Sequence, residues 1–330
     1  MEPNSLMENS TYNTDKNSTK VISIIGCGLI GQAWAVVFLR SGFRVKIFDE
    51  DANAAVRAKS NIQQKLKELA SFGLIATDFI SKMELDLTVH DDIEAGLEDC
   101  CYIQECAPEN LEIKSKLTAK LDGIAADGTP IGSSTSAIAP SLYAADVKGR
   151  GRCLVVHPIN PPHLIPAVEI VPSDWTKESV IESVTELMLT TGQTPIVLKK
   201  EIEGFVVNRL QGALLNEAFR LLADGVISFE DIDKAMTDGL GFRWSLMGPF
   251  ESIHLNAPQG VAQYVERYSP AYARMFSNAE LEHIWSMALE QGVEENLLKK
   301  HPISSLTKSF QNRDRMMMQA IAQKRSEVNK

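Results

Sequence analysis

The chain has 330 residues, of which 44% are hydrophobic, enough for two domains of ordinary size and a sizeable core. Its net charge of −10 argues against nucleic acid or an anionic membrane as a partner, since both need clustered Lys and Arg. It leaves room for an anionic substrate, which one local cation can bind. The five cysteines, Cys27, Cys100, Cys101, Cys106 and Cys153, form no CxxC pair. They point to reduced thiols in a cytoplasmic protein and away from structural zinc.

Residues 1–20 are polar and rich in Asn, Ser and Thr, and they read as a disordered leader outside the fold. Val21-Ile22-Ser23-Ile24-Ile25 is a short β-branched run of the kind buried parallel strands show. A glycine-containing loop follows, then a helix over 29–41 that Gly42 ends. A second strand covers 44–48, with Asp49 at its carboxyl end. A helical stretch over 51–72 carries Lys59, Lys65 and Lys67 on its polar face. Gly73 breaks it, and a helix over 77–83 completes a helical hairpin inserted into the alternation.

Strand, helix and strand resume at 85–89, 92–97 and 102–106. A helix over 109–121 and a strand over 130–133 follow. Three more strands are expected at 153–157, 167–171 and 194–198, the last two separated by a helix over 176–191. After Glu203 no strand pattern returns, and helices are expected over 205–223, 229–237, 257–268 and 281–297. The expected architecture is α/β: a Rossmann-type doubly wound sheet with the inserted hairpin over 21–203. An all-helical domain over 204–330 follows, for substrate binding and dimerisation. No apolar run reaches the ~18 residues of a membrane span.

The loop Gly26-Cys27-Gly28-Leu29-Ile30-Gly31 lies between a predicted strand and a predicted helix, the context that a dinucleotide-binding GxGxxG requires. Gly26 allows the tight turn, Gly28 lets backbone approach a pyrophosphate, and Gly31 lets helix and strand pack closely. Leu29 and Ile30 open the helix, whose free N–H groups face the phosphates. Asp49 follows at about the distance, ~20 residues, where a carboxylate accepts bonds from the adenosine ribose. Glu50 and Asp51 add negative charge against a 2′-phosphate, so NAD is expected over NADP.

His157 ends the apolar run Cys153-Leu154-Val155-Val156, at the carboxyl end of a buried strand where open α/β sheets bind their ligands. A histidine there can act as a general base near neutral pH. Glu169 sits inside the apolar run Ala167-Val168-Glu169-Ile170-Val171, where a carboxylate is costly unless paired. An imidazole is its natural partner. A core Glu on backbone amides and a structural His is the bland alternative. His157 and His163 have no third ligand at suitable spacing, so no metal is expected, and no GxSxG elbow marks a hydrolase.

The glycine loop, Gln104-Glu105-Cys106-Ala107-Pro108-Glu109-Asn110, Ser133-Ser134-Thr135-Ser136, His157-Pro158-Ile159-Asn160-Pro161-Pro162 and Gly204-Phe205-Val206-Val207-Asn208-Arg209 together resemble the 3-hydroxyacyl-CoA dehydrogenase family over roughly residues 21–320. The resemblance implies that His157 is the base and Glu169 its partner. It implies that Ser136 and Asn208 hydrogen-bond the reacting oxygen, and that Glu109 and Lys114 lie near the nicotinamide side of NAD. Asn160-Pro161-Pro162-His163-Leu164-Ile165-Pro166, Leu240-Gly241-Phe242-Arg243-Trp244 and Gly248-Pro249-Phe250-Glu251 are similar to the branch of lambda-crystallin, or L-gulonate 3-dehydrogenase. That branch acts on free 3-hydroxy acids.

Arg243 could bind a substrate carboxylate bidentately, or it could be a surface or interface residue. The implied activity is NAD-dependent oxidation of a small 3-hydroxy acid by a cytoplasmic homodimer. Two alternatives stay open. One is a short-chain 3-hydroxyacyl-CoA dehydrogenase, with Lys59, Lys65 and Lys67 meeting CoA phosphates. The other is a crystallin-like structural protein that binds NAD without turnover.

Overall fold

A computed structural model describes residues 19–245 and 248–255, with individual positions between 264 and 322. Leader residues 1–18 fall outside the described residues. So do the helix expected over 281–297 and most of that over 257–268. Tyr264, Val265, Arg267 and Tyr268 are described and helical.

The alternating part opens with β1 (Val21–Ile25), α1 (Leu29–Arg40), β2 (Arg44–Phe48) and α2 (Ala52–Ser71). Asp51 caps α2, its side chain accepting from the Asn53 amide, as short acceptors do at helix N-termini. A 3-10 turn at Thr77–Phe79 leads into α3 (Ile80–Leu85), which takes up Leu85, so the strand expected at 85–89 becomes β3 (Leu87–His90). Then follow α4 (Ile93–Leu97), β4 (Cys100–Glu105), α5 (Leu111–Ile124), β5 (Ile131–Ser133) and a short α6 (Pro140–Tyr143) that sequence reading missed. β6 (Cys153–Pro158), β7 (Ala167–Val171), α7 (Glu178–Thr190) and β8 (Thr194–Val197) complete the sheet.

Its strands run in the order β3-β2-β1-β4-β5-β6-β7-β8. Every pair is parallel except β6 and β7, which are antiparallel. The doubly wound expectation is therefore met with one reversal. The link 159–166 is too short for the crossover of a dozen or more residues that a parallel return needs. Alternating side chains build a core on each face. Ile22, Ile24, Leu154 and Val156 join Trp34 and Phe38 of α1 in one. Val21, Ile25, Cys153 and Val155 join Leu121 and Phe205 in the other.

The described chain forms two compact units, dividing after Asn208. The stretch beyond Ser309 belongs with the first unit, where Met318 is buried in the α1-side core. In the second unit, α8 (Val207–Ala223, begun in the first) is followed by α9 (Phe229–Lys234), capped by Ser228. The helix expected over 229–237 instead continues through a π-helical turn, Ala235–Leu240, into α10 (Gly241–Trp244). A further helix, α11 (Pro249–Leu255), was not anticipated.

Candidate active site

The site lies along the carboxyl ends of β1, β2, β4, β5 and β6. Gly26 has φ +101, and a Cβ there would stand 2.6 Å from the Cys106 carbonyl. A Cβ on Gly31 would collide with the Gly26 carbonyl oxygen. Gly28 differs: its backbone is ordinary and extended, and a Cβ would meet nothing within 4 Å. The loop is thus folded by its outer glycines and left open at the middle one, as a cradle for a pyrophosphate would be. Leu29 is exposed above it, while Ile30 packs against the α1-side core.

Asp49 braces this loop. Its Oδ2 accepts from the Cys27 amide at 2.7 Å and its Oδ1 from the Asp51 amide at 3.0 Å. Each oxygen keeps a lone pair for a ribose hydroxyl. Asp49 also lines a cavity of about 630 Å³ with Gly26, Gly28, Phe48, Pro108 and Ile113. That volume and its largely apolar wall, with charges of both signs from Asp49, Glu50, Lys116 and Lys120, suit one nucleoside half of a dinucleotide. Burial, reinforced by the Asp49 charge, pushes the Cys27 thiol up to about 12. The cradle therefore carries no thiolate to repel phosphate.

His157 and Glu169 are register partners across the antiparallel β6–β7 pair, so their side chains share one face. His157 Nδ1 lies 2.7 Å from Glu169 Oε2, and both residues are buried. Glu169 Oε1 accepts from the Val206 and Val207 amides at 2.7 and 3.0 Å. Burial pushes the Glu169 carboxyl up, but the hydrogen bonds from His157, Val207 and Val206 outweigh it and lower its pKa. An ionised Glu169 fixes the tautomer: Nδ1 donates, and Nε2 keeps its lone pair.

The loop after β5 is held from two sides. Glu109 Oε1 accepts from the Thr135 hydroxyl and from the Ser136 and Ala137 amides, at 2.7, 3.0 and 3.1 Å. It also lies 3.3 Å from Ser136 Oγ. Asn208 Nδ2 donates to the Ser136 carbonyl at 2.8 Å. Ser136 and Asn208 are thus brought together, and Glu109 acts as a clamp on their loop. Lys114 sits beneath this loop. It is 1% exposed, and its ammonium donates to both Glu105 oxygens at 3.0 Å and to the Ala107 carbonyl at 3.2 Å. Glu105 also accepts from Ser133 Oγ and the Ala107 amide.

Sequence reading missed Glu105, though the signal was there. It ends the apolar β4 just as Glu169 sits in β7, and the same desolvation argument applies. His163 is buried, its carbonyl accepting from Arg40. Arg243 lies on α10 in the second unit with its side chain exposed. Among the described residues, no three His, Cys, Asp or Glu side chains converge as a metal site. No helix there is long and apolar enough to cross a membrane.

The NAD-binding domain of 3-hydroxyacyl-CoA dehydrogenase matches residues 21–202, and the C-terminal domain of the same enzymes matches 204–296. The chain belongs to the 3-hydroxyacyl-CoA dehydrogenase family. Its NAD-dependent dehydrogenase activity and its cofactor, NAD, come with that membership. Among its relatives is lambda-crystallin of Oryctolagus cuniculus, 38% identical over 85% of this chain and 88% of that protein. A 3-hydroxyacyl-CoA dehydrogenase of Gibberella moniliformis is 37% identical over 92% of this chain and 95% of that one. An L-carnitine dehydrogenase of Bacillus cereus is 34% identical over 78% of each.

Proposed function

We propose that this family member oxidises a small free 3-hydroxy acid to the 3-keto acid, with His157 as the base. The observation that carries the reading is the buried His157–Glu169 pair at 2.7 Å, which leaves Nε2 as the proton-accepting atom. NAD, when bound, supplies the hydride acceptor. His157 takes the 3-hydroxyl proton at Nε2, and Glu169 stabilises the imidazolium that results. The Ser136 hydroxyl and the Asn208 side chain hold the reacting oxygen, Glu109 keeping their loop in place. For the substrate carboxylate, the guanidinium of Arg243 has the bidentate hydrogen-bonding chemistry required.

The L-carnitine dehydrogenase relative supports a free acid, since carnitine is itself a 3-hydroxy acid with an unesterified carboxylate. The protein works as a cytoplasmic homodimer. The exposed apolar side chains of Phe242 and Phe250 in the second unit support such an interface.

A second reading, oxidation of a 3-hydroxyacyl-CoA, is favoured by a different observation. A cavity of about 390 Å³ lies between the glycine loop and α2, lined by Gln32, Arg57, Ser60 and Asn61. It offers polar groups to a longer substrate. A panel of L-gulonate, L-carnitine and 3-hydroxybutyrate with NAD, set against acetoacetyl-CoA with NADH and followed at the NADH absorbance band, separates the two. His157→Gln is expected to abolish turnover on the best substrate while NAD affinity is retained. Normal turnover in that variant removes His157 as the base, and NADH production by the parent enzyme excludes a purely structural protein.

A further inference from the structure

Phe205 occupies a backbone conformation that a bulky residue ordinarily avoids. Its φ is +51, directly after Gly204 at +73. For an L-residue the left-handed region crowds Cβ against the following carbonyl oxygen, and a large side chain there is an outlier. Glycine would adopt it freely. Yet Phe205 is fully buried, and its ring lies against the His157 imidazole, with centroids 5.4 Å apart and planes inclined at 55°. The same turn directs the next two amides, Val206 and Val207, onto Glu169 Oε1. These amides open α8, so a carboxylate far away in sequence does the work of an N-cap. One left-handed residue thus touches both halves of the proton-transfer pair: the imidazole through its ring, the carboxylate through the turn that follows.

We infer that Phe205 is a positioning residue for the reaction, its ring fixing the His157 imidazole while its turn fixes Glu169. This rests on the His157–Glu169 reading above. A residue that only filled the core would need neither the strained backbone nor an aromatic ring packed beside the imidazole. Backbone strain retained in a fold is the kind of observation from which a functional requirement follows.

Two variants separate the ring from the turn. Phe205→Gly keeps a left-handed turn without strain and removes the ring. Phe205→Leu keeps most of the apolar volume without the aromatic ring, and it decides the matter if the glycine variant does not fold. The first readout needs no substrate. The His157 Nδ1 proton, held against a carboxylate, resonates far downfield in proton NMR and is assigned by its loss in His157→Gln. The second is kcat and KM on whichever of L-gulonate, 3-hydroxybutyrate and acetoacetyl-CoA the parent enzyme turns over.

The downfield resonance is expected to shift or broaden in both variants. The kcat should fall about 10- to 100-fold for Phe205→Gly and about tenfold for Phe205→Leu, the scale that a misplaced catalytic group produces. The KM for NAD should not change. An unmoved resonance with parental kcat, in either variant, overturns the inference. If that happens while His157→Gln is inactive, the base assignment stands and only the role of Phe205 fails. If His157→Gln retains turnover, both fail.

Discussion

The two glycines flanking Leu29 and Ile30 should respond oppositely to the same added methyl group. At Gly28 the backbone is of a kind any residue adopts (φ −67, ψ −171), and a Cβ meets no atom within 4 Å. The only folding cost of Gly28→Ala is the poorer N-cap preference of alanine, about 0.5 kcal/mol, or about 1–2 °C in Tm. The methyl group projects into the open mouth of the loop, where the pyrophosphate must approach. Losing one charge-assisted hydrogen bond to phosphate costs about 1.5–3 kcal/mol, which weakens NAD binding roughly 10- to 150-fold. At Gly31 the methyl group collides with the Gly26 carbonyl oxygen and stands 3.1 Å from Gly26 C and 3.3 Å from Ile24 Cγ2. Helix α1 must then lift from the sheet, at about 1–3 kcal/mol and about 2–12 °C. Thermal melts without NAD and calorimetric NAD titrations measure both effects. The reasoning is refuted if Gly28→Ala binds NAD like the parent, or if it lowers Tm as much as Gly31→Ala.

Two further outcomes follow from buried charge. Removing Lys114 leaves Glu105 buried without its cation, so Lys114→Met should lose about 3–5 kcal/mol in urea unfolding, and adding Glu105→Gln should restore much of it; a fully stable single variant would show that the pair contributes nothing. Glu169 has a folded-state pKa held below its ordinary 4.5. Its stabilising contribution is complete above 4.5 and lost as pH falls through the lower folded value. The Tm difference between the parent and Glu169→Gln should therefore be steady at neutral pH and narrow on acidification below 4.5, and a difference that widens there contradicts the assignment.

The geometry of the candidate cofactor loop was legible because it is local. β1, the glycine loop, α1, β2 and Asp49 are nearly continuous in sequence, and each glycine has a job set by its own backbone or its immediate neighbours. His157 and Glu169 could be singled out because each interrupts or ends an apolar strand, where a polar side chain needs a reason. Lys114 shows the limit of that logic. Nothing in its own helix marks it as buried, the family resemblance implies only a place near the nicotinamide, and it is packing against β4 that makes it the buried partner of Glu105. The strand expected from Leu85 failed for a similar reason, since Leu85 completes a turn of α3 and stays exposed.

By itself, then, the sequence determined the alternation, the glycine loop between β1 and α1, the acid that follows it and two suspicious polar residues in apolar strands. Each of these depends on contacts within a few residues, or on a periodicity that the chain carries openly. Only the tertiary structure decided how the suspicious residues meet. β7 reverses direction after a short link, and that reversal sets Glu169 directly opposite His157. The turn at Phe205 then brings in the amides that complete the carboxylate's bonding. The short link requires the reversal, but the register that pairs these two residues and the left-handed turn depend on which distant segments pack together, and no local pattern of side chains encodes that.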